Sequence, residues 1–146
     1  MSKIDLSLFK HTTEFTVRFM DIDALNHVNN ARYLNYLEEA RINYSRDVLN
    51  TYKTISDVTV LVARVEIDYL SPIMFGSIAK VYTRVSRMGT KSFTFECVIA
   101  GIRDGKETIA AHSIVTMVSF DAKTGKSVEV LPAVKEKIKS FEGNLD

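Results

Sequence analysis

Cysteine is nearly absent from this chain: Cys97 is the only one in 146 residues. No internal disulfide is available, so a reducing compartment, the cytoplasm, is the expected home. Tryptophan is missing altogether, which excludes nothing. No stretch approaches the ~18 apolar residues of a membrane span. The opening MSKIDLSLFK is too polar for a secretory leader. Neither charge sign dominates, because 19 basic and 18 acidic residues leave a net charge of +1. That balance offers no basic excess for nucleic acid and no charged tail. Internal repeats, low-complexity segments and linkers are lacking too. What is present, 46% hydrophobic and 25% charged residues, suits a globular chain, and 1–146 reads as one domain with one core.

The most informative stretch is VRFMDIDALNHVNNARYLNYLEEAR, Val17 to Arg41. Its first part concentrates two aspartates, a histidine and three asparagines. Its second part opens a helix. Neither Pro nor Gly interrupts Ala31 to Leu49, and Tyr33, Leu37, Ala40, Tyr44 and Val48 recur on one face, widened by Leu34. Asn29 and Asn30 are good caps, so the helix is expected to start near Asn30. Its first-turn amides, from Asn29 to Ala31, and its positive dipole end then point back at Asp23 and His27. At 1.5 Å per residue such a helix is ~28 Å long, and its apolar face needs a large surface to cover it.

The rest of the chain reads as strands. Residues 1–10 are expected to form a loosely held arm. Thr12 to Phe19 alternates, with Phe15, Val17 and Phe19 on one side. After a polar connection at 50–57, Thr59, Leu61, Ala63, Val65, Ile67 and Tyr69 mark one face of a long strand. Its other face is apolar early (Val58, Val60, Val62) and charged late (Arg64, Glu66, Asp68), which predicts cover on both faces at one end only. Strands follow at Ile78–Met88, Phe93–Arg103 and Glu107–Phe120, with Asp104-Gly105 as a hairpin signal. A short strand is expected at Ser127–Val130. Pro132 opens a last helix carrying Val134, Ile138 and Phe141. A strand, a long helix and four strands joined mostly by short turns make an α+β pattern, with an antiparallel sheet of about five strands wrapped around the helix.

The same stretch carries a family resemblance. Arg18, Phe19, Asp21, Asp23, His27, Val28, Asn29, Asn30, Tyr33, Glu38 and Arg41 resemble the D-x-D-x-x-x-H-V-N-N signature of acyl-CoA thioesterases. These belong to the 4-hydroxybenzoyl-CoA thioesterase-like branch of the hot-dog superfamily. VEIDYLSP at 65–72 and GTKSF at 89–93 agree in order and more weakly. The resemblance implies a hot-dog fold and hydrolysis of an acyl-CoA or acyl carrier protein thioester. It also implies a homodimer or homotetramer with the acyl tunnel and CoA site between subunits, no metal, and no cofactor beyond the CoA of the substrate.

On that basis Asp23 is the expected catalytic carboxylate, since the family's acid falls on the second aspartate of the motif. A carboxylate can activate water or attack a thioester itself. The developing oxyanion would meet the helix start at Asn29 to Ala31, with Asn30 among the site residues. His27 is expected either to hold Asp23 or to hydrogen-bond the substrate carbonyl. Asp21 is expected to be structural. Lys91 and Ser92, with Arg87 as a weaker third, match positions that in relatives meet CoA phosphates, and all three are suitable donors. Phe19, Met20, Leu25 and Tyr33 are expected around an apolar acyl pocket. Glu38 and Arg41, three apart, can pair on the helix.

Other chemistries fit less well. Asp21-x-Asp23 begins like a calcium loop, but Leu25 takes a ligand position, Asn26 replaces the needed Gly and Arg32 stands where a Glu belongs. The Asp–His spacing matches no strong metal pattern. Cys97 alternates with Phe93, Phe95 and Ile99 and reads as a core thiol, and His112 as a strand histidine. Hot-dog hydratases place Asp and His five apart with an intervening Asn-Pro; here the spacing is four and the proline is missing. A non-catalytic acyl-CoA binding module is the remaining alternative.

Overall fold

The computed structural model describes residues 3–143 and 145. Strand β1 (His11–Thr16) is followed by helix α1 (Asn30–Leu49), strands β2 (Val60–Tyr69), β3 (Ile78–Met88), β4 (Ser92–Arg103) and β5 (Lys106–Ser119), and helix α2 (Pro132–Glu142). All pairings are antiparallel, and the strands lie in the order β1-β3-β4-β5-β2. The β4–β5 turn uses Asp104 and Gly105 at φ +52° and +76°, the two left-handed positions of a type I′ hairpin.

Helix α1 packs lengthwise on the inner face of this sheet. Leu37, Ala40 and Tyr44 are fully buried against Val81, Val85, Phe95 and Val115. The helix ends at Asn50, whose left-handed backbone (φ +57°) a non-Gly residue other than Asn or Asp resists. The apolar stripe is wider than the four-three spacing suggests. Tyr36, Arg41, Ser45 and Leu49 are also buried, whereas Leu34 is exposed. Arg41 does not pair with Glu38: among the described residues no ion pair joins them.

Four further sequence expectations change. Residues 1 and 2 lie outside the described residues, but the rest of the expected arm is docked. Leu6–Leu8 form a single 3-10 turn, and Ile4, Leu6 and buried Phe9 cover Tyr82, Val98 and Ala100 on the outer sheet face. The first strand stops at Thr16 rather than Phe19, because Arg18 and Asp21 close a 3-10 turn that leaves Phe19 exposed. The strand expected at 127–130 reduces to one bridge, Phe120 to Ser127.

The fourth change concerns β2. A bulge between Val62 and Arg64 inserts Ala63 without a partner and shifts the alternation by one. Leu61 pairs with Val118 and Val65 with Val115, so these two face opposite sides of the sheet. β2 is an edge strand, and Leu61, Val62 and Val65 are exposed. The cover expected at its early end is absent within one chain. Among the described residues no helix is long and apolar enough to cross a membrane.

Candidate active site

The loop before α1 is folded by Asp21. Its carboxylate is fully buried and accepts from the Arg18 amide (3.0 Å), the Arg18 guanidinium (3.0 Å) and the Tyr36 hydroxyl (2.8 Å). Its carbonyl accepts from the Asn29 amide at 2.8 Å. Burial pushes the Asp21 carboxyl up, but the hydrogen bonds from Arg18 and Tyr36 outweigh it and hold the group below the ordinary carboxylate range. Asp21 is thus the structural residue that the sequence suggested.

Asp23 sits two residues on, half-buried, in a tight loop. The Asp23 amide donates to the His27 carbonyl (2.8 Å), and Asn26 takes a left-handed backbone (φ +62°). Asp23 Oδ1 accepts from the Leu25 amide (2.9 Å) and the His27 amide (3.3 Å). No bond to Oδ2 is found among the described residues. One carboxylate oxygen therefore fixes the group while the other stays free. The contact of His27 with Asp23 runs through the backbone amide, and the His27 ring makes no hydrogen bond among the described residues. The loop is anchored to the segment before β3 by a His27–Met74 bridge and by the Val28 amide on the Ile73 carbonyl (2.8 Å).

The helix start offers fewer amides than its position alone suggests. Asn29, not Asn30, is the N-cap, and its Oδ1 accepts from the Ala31 amide at 2.9 Å. The Asn29 amide is taken by Asp21 and that of Arg32 by the Asn29 carbonyl. Of the three amides from Asn29 to Ala31, only that of Asn30 lacks a partner among the described residues. The Asn30 carbonyl accepts from the Tyr69 hydroxyl at 3.0 Å. Tyr33, on the next turn, is buried edge-on against Tyr69. Burial raises its phenol above the usual range, and the charge of Asp23 adds a little to that shift.

The other expected site residues lie elsewhere. Lys91 lies in the β3–β4 turn, Ser92 opens β4, and Arg87 is exposed near the end of β3. The Asp23 loop is anchored at Ile73 and Met74, before the opposite end of β3, and the strand between spans roughly 33 Å for its eleven residues. One chain therefore does not bring these three to Asp23. Nor do Phe19, Met20 and Leu25 enclose a pocket. They are 76%, 62% and 72% exposed, and with Phe75, which meets Phe19 edge-on, they form an open apolar rim. Cys97 is wholly buried, and burial pushes its thiol up to about 11, so it stays protonated and is no nucleophile. His112 bonds Glu96 on the outer sheet face. Tyr36 is the residue that sequence reasoning missed. It follows Tyr33 by three, a helical neighbour spacing that would have placed it on the buried face.

The profile of the thioesterase-like superfamily matches residues 17–138, from the aspartate loop through most of α2. The chain belongs to that superfamily. Among curated relatives of this thioesterase is the long-chain acyl-CoA thioesterase FadM of Escherichia coli K12, 28% identical over 130 residues, covering 88% of this chain and 97% of FadM. Among solved structures it is similar to a Thermus thermophilus thioesterase complexed with coenzyme A and zinc. That match has 32% identity and a TM-score of 0.81, covering 93% of this chain and 96% of the other. The protein SAV2348 of Staphylococcus aureus, solved in complex with CoA, shares the fold at a TM-score of 0.81 and 19% identity, over 92% and 85% of the two chains. The architecture is thus the hot-dog fold, and the chain is a thioester hydrolase. No group of three or more His, Cys, Asp or Glu among the described residues is placed to hold a metal ion.

Proposed function

We propose that this thioesterase hydrolyses an acyl-CoA or acyl carrier protein thioester, with Asp23 as its catalytic carboxylate. The observation that carries the reading is the free Oδ2 of Asp23, held by a tethered Oδ1 at the same loop–helix junction as the unpaired Asn30 amide. Asp23 takes a proton from water as the water attacks the thioester carbonyl. The oxyanion is received by the Asn30 N–H and the positive end of α1. Collapse of the tetrahedral intermediate breaks the C–S bond, and the sulfur leaves with the proton that Asp23 took from the water, which restores the carboxylate. The His27 ring is the second donor for the carbonyl, and Tyr33 lines the acyl side. The reading calls for no cofactor, because CoA belongs to the substrate.

The working unit in this proposal is a homodimer or homotetramer in a reducing cytoplasm. The exposed β2 edge and the open rim of Phe19, Met20 and Leu25 are surfaces that a second copy would cover. Separation of Lys91, Ser92 and Arg87 from Asp23 argues the same way, since they could meet the phosphates of a CoA bound at Asp23 only from another subunit. Free-thiol release from acetyl-, hexanoyl-, palmitoyl- and benzoyl-CoA tests the reading. At least one should be hydrolysed, and Asp23→Asn should slow it ~10²–10⁴-fold with the fold intact. A folded variant with unchanged turnover would overturn the role of Asp23. Release from none, with hydration of a crotonyl thioester, would move the chain to the hydratases.

A further inference from the structure

Away from Asp23, a cavity of about 240 Å³ lies between the C-terminal half of α1 and the early end of β2. Leu49, Val60, Val62, Phe93, Phe95 and Met117 give it apolar walls. Arg41 also lines it, 9% exposed. No hydrogen bond and no ion pair to its guanidinium is found among the described residues. A buried guanidinium cannot escape its cost by losing a proton in the way a lysine can. Burial lowers its affinity for the proton without neutralising it. Glu38 acts on it only through its charge, and no Arg41 nitrogen is both sealed from solvent and unpartnered, so the guanidinium faces the cavity, where an anion could meet its fork.

Two carboxylates of the chain stand at the lining, and neither pairs with Arg41. Asp57 is held through Oδ2 by the Lys53 and Thr54 amides at 2.8 and 3.0 Å, and no ion pair joins it to Arg41 among the described residues. Glu38 is exposed on the turn before Arg41 and bonds nothing among the described residues. We propose that the cavity binds the carboxylate of a medium-chain aliphatic acid, with Arg41 as its bidentate partner and the apolar walls around its chain. The shape of the site selects this occupant. A carboxylate matches the planar guanidinium fork, and the cavity is smaller than the ~300–1,000 Å³ of pockets for larger ligands.

Such a carboxylate has two sources. It could be a free acid, or the far end of an acyl chain still bound as a thioester. Along α1, Arg41 lies eleven residues beyond Asn30, or ~16 Å at 1.5 Å per residue. The proposal does not depend on Asp23, and its first test is binding rather than turnover. Titration calorimetry with sodium octanoate and with 1-octanol should show binding of the acid and at least tenfold weaker binding of the alcohol. Arg41→Met should weaken octanoate about ten- to hundredfold, the scale of a lost charged hydrogen-bond pair, and leave the melting temperature unchanged or higher. Equal binding of acid and alcohol to the wild type, or an Arg41→Met protein that melts lower and still binds octanoate, would overturn the site. Should Arg41→Met fail to fold, the comparison of acid with alcohol on the wild type still decides it. A second arm identifies the source through kcat/KM for octanoyl-CoA and suberoyl-CoA. A selective loss on suberoyl-CoA in Arg41→Met assigns the far end of the substrate. An unchanged ratio, with octanoate inhibition relieved, assigns the free acid.

Discussion

The Tyr36 hydroxyl donates to the Asp21 carboxylate at 2.8 Å, so the second turn of α1 is tied to the loop that carries Asp23. The pair explains why an aspartate without a catalytic task stands two residues before the one proposed to have it. Asp21 gathers the Arg18 amide, the Arg18 guanidinium, Tyr36 and, through its carbonyl, the Asn29 amide. The N-cap and the Asp23 turn then have one geometry relative to the helix.

Removing that tie should show as stability and as acid sensitivity. Tyr36→Phe deletes one donor to a fully buried carboxylate, at a cost of about 1–2 kcal/mol. The folded-state value of Asp21 lies below its unfolded value of 3.8. Its stabilising contribution is therefore complete above pH 3.8 and is lost as the pH falls through the folded value. With one donor fewer the folded value rises toward 3.8, so the pH-dependent contribution shrinks. Urea melts from pH 3 to pH 7 should show a lower midpoint for Tyr36→Phe throughout and a gap that narrows below pH 4.

The Asn30 amide can be deleted without deleting the helix. Asn30 is the first helical residue, the position where proline is tolerated because its missing N–H has no helical partner. Asn29, at φ −59° and ψ 138°, already has the extended backbone that a following proline requires. Asn30→Pro should therefore melt within about 1 kcal/mol of the wild type. If this amide receives the oxyanion, kcat should fall ~10²–10³-fold, while Asn30→Ala, which keeps the amide, should retain most of its rate. Equal activity in the two variants would remove the amide from the mechanism.

The contrast between Asn29 and Asn30 shows where sequence reasoning stops. Helix α1 was legible because no Pro or Gly interrupts it and its apolar residues keep one period, and β3 to β5 because Gly89 and Asp104-Gly105 punctuate them. The fold class followed from that order. Which amide of the first turn is free depends on tertiary bonds, here Asp21 to Asn29, and no local pattern encodes them. The bulge at Ala63 is similarly silent, since β2 alternates without interruption in sequence. Arg41 reads from its spacing as the partner of Glu38 in a helix ion pair, yet it is buried and no ion pair joins the two among the described residues. Lys91 and Ser92 join Asp23 through family likeness, and the length of β3 separates them within one chain.

Helix α2 offers a pH test at the other end of the core. Glu142 is buried, and its Oε2 accepts from the Tyr44 hydroxyl and the Val85 amide, both at 2.7 Å, beside the bulge between Val85 and Arg87. Burial raises its carboxyl above the ordinary 4.5. Its favourable contribution is therefore complete below pH 4.5 and declines as the pH rises through the folded value. Glu142→Gln keeps a carbonyl acceptor for both donors and removes the buried charge. Its melting midpoint at pH 7.5 should equal or exceed that of the wild type, and the decline above pH 4.5 should flatten. Glu142→Ala strands both donors and should cost about 2–3 kcal/mol.

The β2 edge tests the proposed assembly. Leu61 and Val62 are 54% and 47% exposed, on opposite faces of a strand with one side unpaired. Apolar side chains on both faces of an open edge favour another strand of the same kind over water. Leu61→Lys with Val62→Lys changes little in a lone chain, because both side chains already meet solvent. Across a strand pair the same lysines would lose water without a counter-charge, a cost of several kcal/mol. Light scattering should report an oligomer for the wild type and a monomer for the double variant, with circular dichroism unchanged. If Lys91, Ser92 and Arg87 serve the Asp23 of another subunit, the monomer should also lose acyl-CoA hydrolysis. A fully active monomer would place the whole site within one chain and leave that turn without a part in it.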